Sequence, residues 1–328
     1  MQKILVAVSI FILSMLPMSS AYTADLLADF PNRTIKIIVP YVPGGSTDLL
    51  ARTLGKAVSD RFNQPVIVEN LPGASGNIAV SYVLKQPADG YTIFLGTSAA
   101  LAVNPHLYKE ASPYDPQKDL APIILATKQA SQVLVNPSLP VKTMQELTAY
   151  LKNRPDKESY ATAGNGTPGH LGAEMYKMMA GIEMSHIPYK GGAPALLSLA
   201  SGQTTMSIAI VPESMALVNG GMLRPLAITT LERSPQFPNL PTVNESGIPG
   251  FELISWYGFV VRSDTPKEIV TKLNDAFDGA LKDKIINKKL TDMGFEIVGG
   301  KPEVLSSLMR SESKKWGQVV TQAKIKLN

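Results

Sequence analysis

Ile35-Lys36-Ile37-Ile38-Val39-Pro40-Tyr41-Val42-Pro43-Gly44-Gly45-Ser46-Thr47-Asp48 is the stretch that decides the fold. Its β-branched opening reads as a buried strand, and the proline and glycine cluster ends that strand. Leu50, Leu54, Ala57, Val58 and Phe62 then fall on one stripe of a helix from about Leu49. A second stretch has the same grammar: a strand from Ser159 to Thr162, then Gly164-Asn165-Gly166-Thr167-Pro168-Gly169-His170, then a helix through Met179. Such a turn leaves backbone N–H groups without intrahelical partners at the positive end of a helix, and glycine lets a ligand approach the main chain. Each turn is therefore a possible anion cradle. Their separation, 164 − 44 = 120 residues, predicts two lobes whose cradles face each other across a cleft.

Outward from these two turns the chain alternates strands with helices. Val66 to Val68 precedes a helix from Gly76 to about Gln86, and Tyr91 to Leu95 ends in Gly96-Thr97-Ser98. That spacing predicts βαβ crossovers and a parallel sheet covered on both faces. Ile123 to Val135 reads as a strand crossing to a second lobe, where the alternation restarts with a helix from Met144 to Asn153. It continues with a strand from Ser185 to Pro188, a helix from Pro194 to Ser201, a strand from Thr204 to Ile210, a helix from Glu213 to Asn219 and a strand from Leu226 to Thr229. After a proline-rich connection, Ser255 to Val261 reads as a second crossing strand. Helices Lys267 to Lys282 and Pro302 to Val320 are expected to pack back on the first lobe. The predicted fold class is α/β with two lobes, each a mainly parallel sheet with flanking helices. Residues 22–126 and 255–328 form lobe 1, and 127–254 form an inserted lobe 2.

Lys3, the apolar run Ile4 to Leu16 and the small residues up to Ala21 read as a secretory signal over 1–21, cleaved near Ala21. The mature protein is then exported and soluble, with 328 − 21 = 307 residues, enough for two cores. With no cysteine there is neither a disulfide framework nor a lipid-attachment thiol. The net charge of +4 is spread out apart from Lys314, Lys315 and the run Lys324 to Lys326, and no aromatic residues interleave with it, so nucleic-acid binding is not expected. Catalytic signatures are missing too. The three histidines form no H-E-x-x-H pair, G-x-S-x-G is absent, and Ser311-Glu312-Ser313-Lys314 matches S-x-x-K without its partner motifs. No cofactor or metal is expected.

Ligands of open α/β sheets bind beyond the carboxyl ends of the strands. The candidate binding residues there are Tyr41, Gly44, Gly45, Ser46, Thr47, Asp48, Asn77, Thr97 and Ser98 from lobe 1. Lobe 2 supplies Gly164, Asn165, Gly166, Thr167, His170, Tyr189 and Lys190. Asp48 would repel an anion, so its expected work is to accept N–H groups and fix its loop. His170 lies in a first helical turn and is expected to face the cleft, the alternative being a structural histidine. Lys190 opposes a helix dipole and so calls for a partner, either ligand or acid, unless it is simply solvated. Tyr41 lines the cleft or packs in the core. Trp256 and the Met175, Met178, Met179 stripe read as packing.

At these residues the chain resembles the periplasmic receptors of tripartite tricarboxylate transporters, the Bug family. The resemblance rests on Phe30 to Arg33, Val39 to Asp48, Val68 to Asn77, Ala88 to Tyr91, Gly164 to Leu171, His186 to Ala195, Arg233-Ser234, Pro241 to Gly247 and Ser255 to Gly258, in the family's order. It implies a class II, periplasmic-binding-protein-like receptor, monomeric, that closes on a small carboxylate and delivers it to membrane permease subunits. Grip by main-chain N–H groups, hydroxyls and waters is implied, without an arginine clamp. Ala209 stands where the family often has an aspartate, which points away from amino acids toward a dicarboxylate or aromatic carboxylate. A receptor feeding a signalling protein, and a periplasmic enzyme acting on an organic acid, are the alternatives.

Overall fold

A computed structural model describes residues 29–108, 114–155 and 157–322; the leader expected over 1–21 and the lysines from Lys324 to Lys326 lie outside them. The first lobe opens with β1 (Ile35–Val39), α1 (Ser46–Phe62), β2 (Val66–Asn70), α2 (Asn77–Val83) and β3 (Thr92–Thr97). Short helices α3 (Asn104–Leu107) and α4 (Pro116–Asp119) lead to the long β4 (Leu120–Val135). The second lobe runs α5 (Met144–Lys152), β5 (Ser159–Thr162), α6 (Pro168–Ala180), β6 (Ser185–Pro188), α7 (Gly192–Ala200), β7 (Met206–Ile210), α8 (Val211–Asn219) and β8 (Arg224–Ile228). The chain returns through β9 (Ile254–Arg262), α9 (Lys267–Lys282), α10 (Lys284–Asp292), β10 (Glu296–Ile297) and α11 (Pro302–Gln322).

Strand β4 holds the two halves together. It has 16 residues, about 50 Å at the usual rise, which is longer than one lobe needs. Leu120 to Ala130 pair antiparallel with β9, while Ser131 to Val135 pair with β7 and β8. The strand order β2-β1-β3-β9-β4-β7-β5-β6 therefore passes through both lobes. Strands joined by helices pair in parallel, β1 with β2 and β3, and β5 with β6 and β7; the crossing strands run antiparallel to them. One register slip in β4 falls beside Pro122, which has no N–H to give to the ladder.

Alternation along β1 sends Ile35, Ile37 and Val39 to one face, where they meet Leu50, Leu54, Val58, Phe259 and Phe277. Ile38 faces the other side with Phe94, Val83, Val260, Trp256 and Leu305. Both faces are apolar because helices cover both. Lobe 2 has its own core around Val133, Tyr160, Leu147, Leu171, Tyr176 and Ile208. Helix α11 serves two cores: Leu305 and Met309 join the first lobe, while Trp316 and Val320 pack with Val103, Leu107 and Val133. Among the described residues no helix is long and apolar enough to cross a membrane.

Several element bounds differ from the sequence expectation. Helix α1 begins at Ser46 and not at about Leu49, because Gly45 is extended and the turn tightens immediately after it. Helix α10 was not expected: it is mostly polar, with only Leu290 fully buried, although Asp283 caps it. The apolar run Ala99–Val103 winds as one π turn, which no periodicity announces.

Candidate functional site

Lobe 1 contributes the turn between β1 and α1. Gly44 sits at φ +87°, a conformation open to glycine, and its N–H donates to Asp48 Oδ2 at 3.0 Å. Burial opposes the charge on Asp48. The Arg52 guanidinium at 2.9 Å, the Gly44 N–H and the Asn70 amide at 3.0 Å outweigh it and hold the carboxyl below its usual range. Asp48 therefore pins the turn from behind. In front, Ser46 and Thr47 point their hydroxyls at the Tyr257 hydroxyl, at 3.3 and 3.4 Å. Burial raises the Tyr257 and Tyr41 hydroxyls well above the ordinary tyrosine value, so both stay protonated.

Lobe 2 answers with the turn between β5 and α6. The Thr167 hydroxyl donates to Gly164 O at 2.7 Å and so does not cap its own helix. Behind this turn, Gly166 N–H donates to His170 Nδ1 at 3.0 Å, which places the ring proton on Nε2. The His170 ring stacks on His186 at 4.2 Å and is 3% exposed. Burial lowers its pKa to about 4, and lowers that of His186 to about 3 with the neighbouring His170 adding to the effect. Both rings are neutral at physiological pH.

The two turns enclose a cavity of about 70 Å³, room for several water-sized groups. Four helices start on it. Their N-cap residues Gly45, Thr167, Gly191 and Ile210 all line the cavity, and none caps its helix with a side chain. Away from the cavity, Asp115, Thr143 and Asp283 cap their helices with side chains, while Gly76, Val103 and Pro266 do not. The four starts therefore bring first-turn N–H groups that have no intrahelical partner to one space, at the positive ends of four helix dipoles. The hydroxyls of Tyr41, Thr47, Thr97, Ser98, Ser207 and Tyr257 complete the polar lining, and among the described residues no lysine or arginine borders it.

One carboxyl does border it. Glu213, in the first turn of α8, accepts a hydrogen bond from Ser46 Oγ of the other lobe at 3.2 Å. Burial pushes its pKa up to about 7, against the pull of that hydrogen bond. Gly192 lies against it so closely that a Cβ there would fall 1.9 Å from Oε2.

The expected residues divide into four groups. Tyr41, Gly45, Thr47, Thr97, Ser98 and Thr167 line the inner cavity. Gly164, Asn165, Tyr189 and Lys190 line a wider mouth of about 440 Å³, shared with Tyr41, across which the Ser75 hydroxyl bonds to Asn165 O. Gly44, Ser46 and Asp48 build the first turn. Asn77, Gly166 and His170 stand apart from both spaces. The Asn77 Oδ1 is taken by the Asn104 amide at 2.7 Å and the Tyr114 hydroxyl at 2.9 Å, and His170 faces His186 and not the cleft. Lys190 is exposed and, among the described residues, makes no ion pair.

Sequence reasoning passed over Glu213 and Tyr257. Glu213 was read as the start of a helix and Tyr257 within a family segment, and nothing local shows which side chain turns inward. Ala209, standing where the family often has an aspartate, removes a carboxyl from that strand end. Glu213, one helical turn further on, supplies one to the same space, because the strand-end residue and the first helical turn converge there.

Residues 50–325 match the family described as tripartite tricarboxylate transporter family receptor. The BugT protein of Bordetella pertussis is 33% identical over 329 residues, covering 100% of this chain and 99% of that protein. The R. palustris protein Rpa4515, solved with adipate, superimposes with a TM-score of 0.87 at 38% identity, covering 91% of this chain and 99% of that one. MatC from Rhodopseudomonas palustris, solved with bound malate, gives a TM-score of 0.84 at 30% identity over 89% of this chain and 100% of that one. A match over most of the length, on the same two-lobed periplasmic-binding-protein fold, settles the kinship: the chain belongs to the family of tripartite tricarboxylate transporter receptors.

Proposed function

We propose that this protein is an exported periplasmic receptor that captures a small organic carboxylate, either a dicarboxylate or an aromatic carboxylate, and passes it to a tripartite membrane permease unchanged. The leader over 1–21 directs export. The inserted lobe 127–254 closes against 22–126 and 255–328, and a monomer suffices. The observation that carries this reading is the convergence of four helix starts without side-chain caps on one cavity that has no cation. Preformed N–H donors stabilise an anion with little reorganisation, and closure removes competing water. Adipate and malate in two relatives agree with that chemistry. Contacts are expected from the first-turn main-chain N–H groups of Thr47, Gly169, Gly192 and Ala193, the Thr167 and Gly191 N–H groups being taken by Gly164 O and Ala163 O, and from the hydroxyls of Thr47, Thr97 and Ser98.

The test is thermal unfolding against a panel of dicarboxylates, aromatic acids and amino acids. A true ligand at about 100 times its dissociation constant adds roughly 2.7 kcal/mol of stability. A panel in which no carboxylate raises Tm refutes the reading. Consumption of the stabilising acid during incubation would favour an enzyme instead.

A further inference from the structure

Among the described residues, Glu213 is the one acidic or basic side chain that borders the inner cavity. Its position is tightly determined. Ser46 Oγ holds Oε1 from the α1 start at 3.2 Å, and Gly192 of α7 leaves room for nothing larger than hydrogen beside Oε2. The groups facing it are Ser46 and Thr47 from α1, Tyr257 from β9 and Tyr41 after β1, all neutral, while α7 offers only Gly192, Ala193, Ala195 and Leu196. Asp48 is turned onto Arg52, Lys190 lines the mouth, and His170 and His186 stack behind the β5–α6 turn. No cation compensates a negative charge at Glu213, and the four helix starts gather a second anion into the same small space. Two like charges in a water-poor cavity cannot both remain ionised without a large cost, and one proton removes the conflict.

We propose that Glu213 determines specificity in this cavity by sharing one proton with the second carboxylate of a dicarboxylate ligand, so that capture takes a proton from solvent and release returns it. The O–H bond forms on whichever of the two carboxyl groups holds the proton as the bond to that proton in hydronium or in the buffer acid breaks, and release reverses the exchange. The inference rests on the carboxylate-receptor reading. Burial that already lifts Glu213 toward neutral pH agrees with it.

The experiment measures adipate and succinate binding by calorimetry to the wild type and to Glu213→Gln between pH 6.5 and 8.5. At pH 8, phosphate and Tris buffers, which differ in ionisation heat, report proton uptake. Wild-type affinity for the bound acid should fall towards tenfold per pH unit above pH 7.5, with close to one proton taken up. Glu213→Gln, which donates without titrating, should bind with a flat pH profile and no uptake. Binding by the wild type without proton uptake overturns the proposal alone and leaves the receptor reading intact; this arm does not depend on the variant folding. Tighter binding of 6-aminohexanoate, lost in Glu213→Gln, also overturns it, since the carboxyl would then be meeting an ammonium group. No binding of either acid, nor of any carboxylate in the wider panel, overturns both readings together.

Discussion

Gly45→Val tests the cradle most directly. Gly45 adopts φ −79° and ψ 172°, extended backbone in which a β-branched residue is unstrained. A Cβ there has only Val42 O within 4 Å, at 3.9 Å, so the fold accommodates the side chain. Its one intrinsic penalty is that valine is a poorer N-cap than glycine, which costs the ligand-free protein about 1 kcal/mol. The ligand should lose far more. Gly45 lines a cavity of about 70 Å³, and an isopropyl group at the α1 start covers the N–H groups that an anion would reach. At a ligand concentration of about 100 wild-type Kd, the wild type gains roughly 2.7 kcal/mol, a Tm rise of several degrees, and the variant should gain nothing measurable. Differential scanning calorimetry with and without ligand separates the two effects, since the cap penalty appears in both scans and cancels in the difference. A ligand-induced shift of wild-type size in the variant would refute the reasoning and move the anion away from the α1 start.

Two further predictions concern the frame of the site. Asp48→Ala removes the common acceptor of Gly44, Asn70 and Arg52, and should lower unfolding free energy by about 2–3 kcal/mol in urea titrations. Because the folded-state pKa of Asp48 lies below its ordinary value, its contribution is full above the ordinary value and is lost as pH falls from there through the folded-state value; Asp48→Asn should accordingly flatten the acid limb of stability. His170 and His186 have folded pKa values of about 4 and about 3, so the unfolded chain binds their protons first and stability declines as pH drops below about 6.5, by about 2 kcal/mol from His170 alone at pH 5. Glu213, with a raised pKa, works in the opposite direction over the same range, so the cleaner readout is NMR: the His170 and His186 rings should remain neutral at pH 5.5, and their protonation near 6.5 would disprove the buried stack.

Much of the fold was legible because hydrophobic period is a local property. Helix Lys267–Lys282 was read to its ends, and Ile123 to Val135, recognised as a crossing strand from its length and polar middle, makes up all of β4 but its first three residues, Leu120 to Pro122. What escaped had no periodic signal of its own: α10 has a mostly polar sequence around the single fully buried Leu290, and Ala99–Val103 is apolar on every side. Within the site, both glycine-rich turns were legible from the mismatch between small residues and helix starts. The direction in which His170 and Asn77 face was not. Each lies next to a turn in sequence, yet packing against His186 in one case and Asn104 with Tyr114 in the other points them away from the cavity.

The amino-acid order alone determined the alternation of strands and helices, the two glycine-rich helix starts and the scarcity of cationic side chains in the strand-end loops. All three follow from interactions within a few residues of one another. Only the tertiary structure decided that four helix starts converge on one cavity and that Glu213 enters it to meet Ser46, 167 residues earlier in the chain. That encounter depends on how one lobe rests against the other through β4 and β9, a property of packing that no stretch of sequence carries by itself.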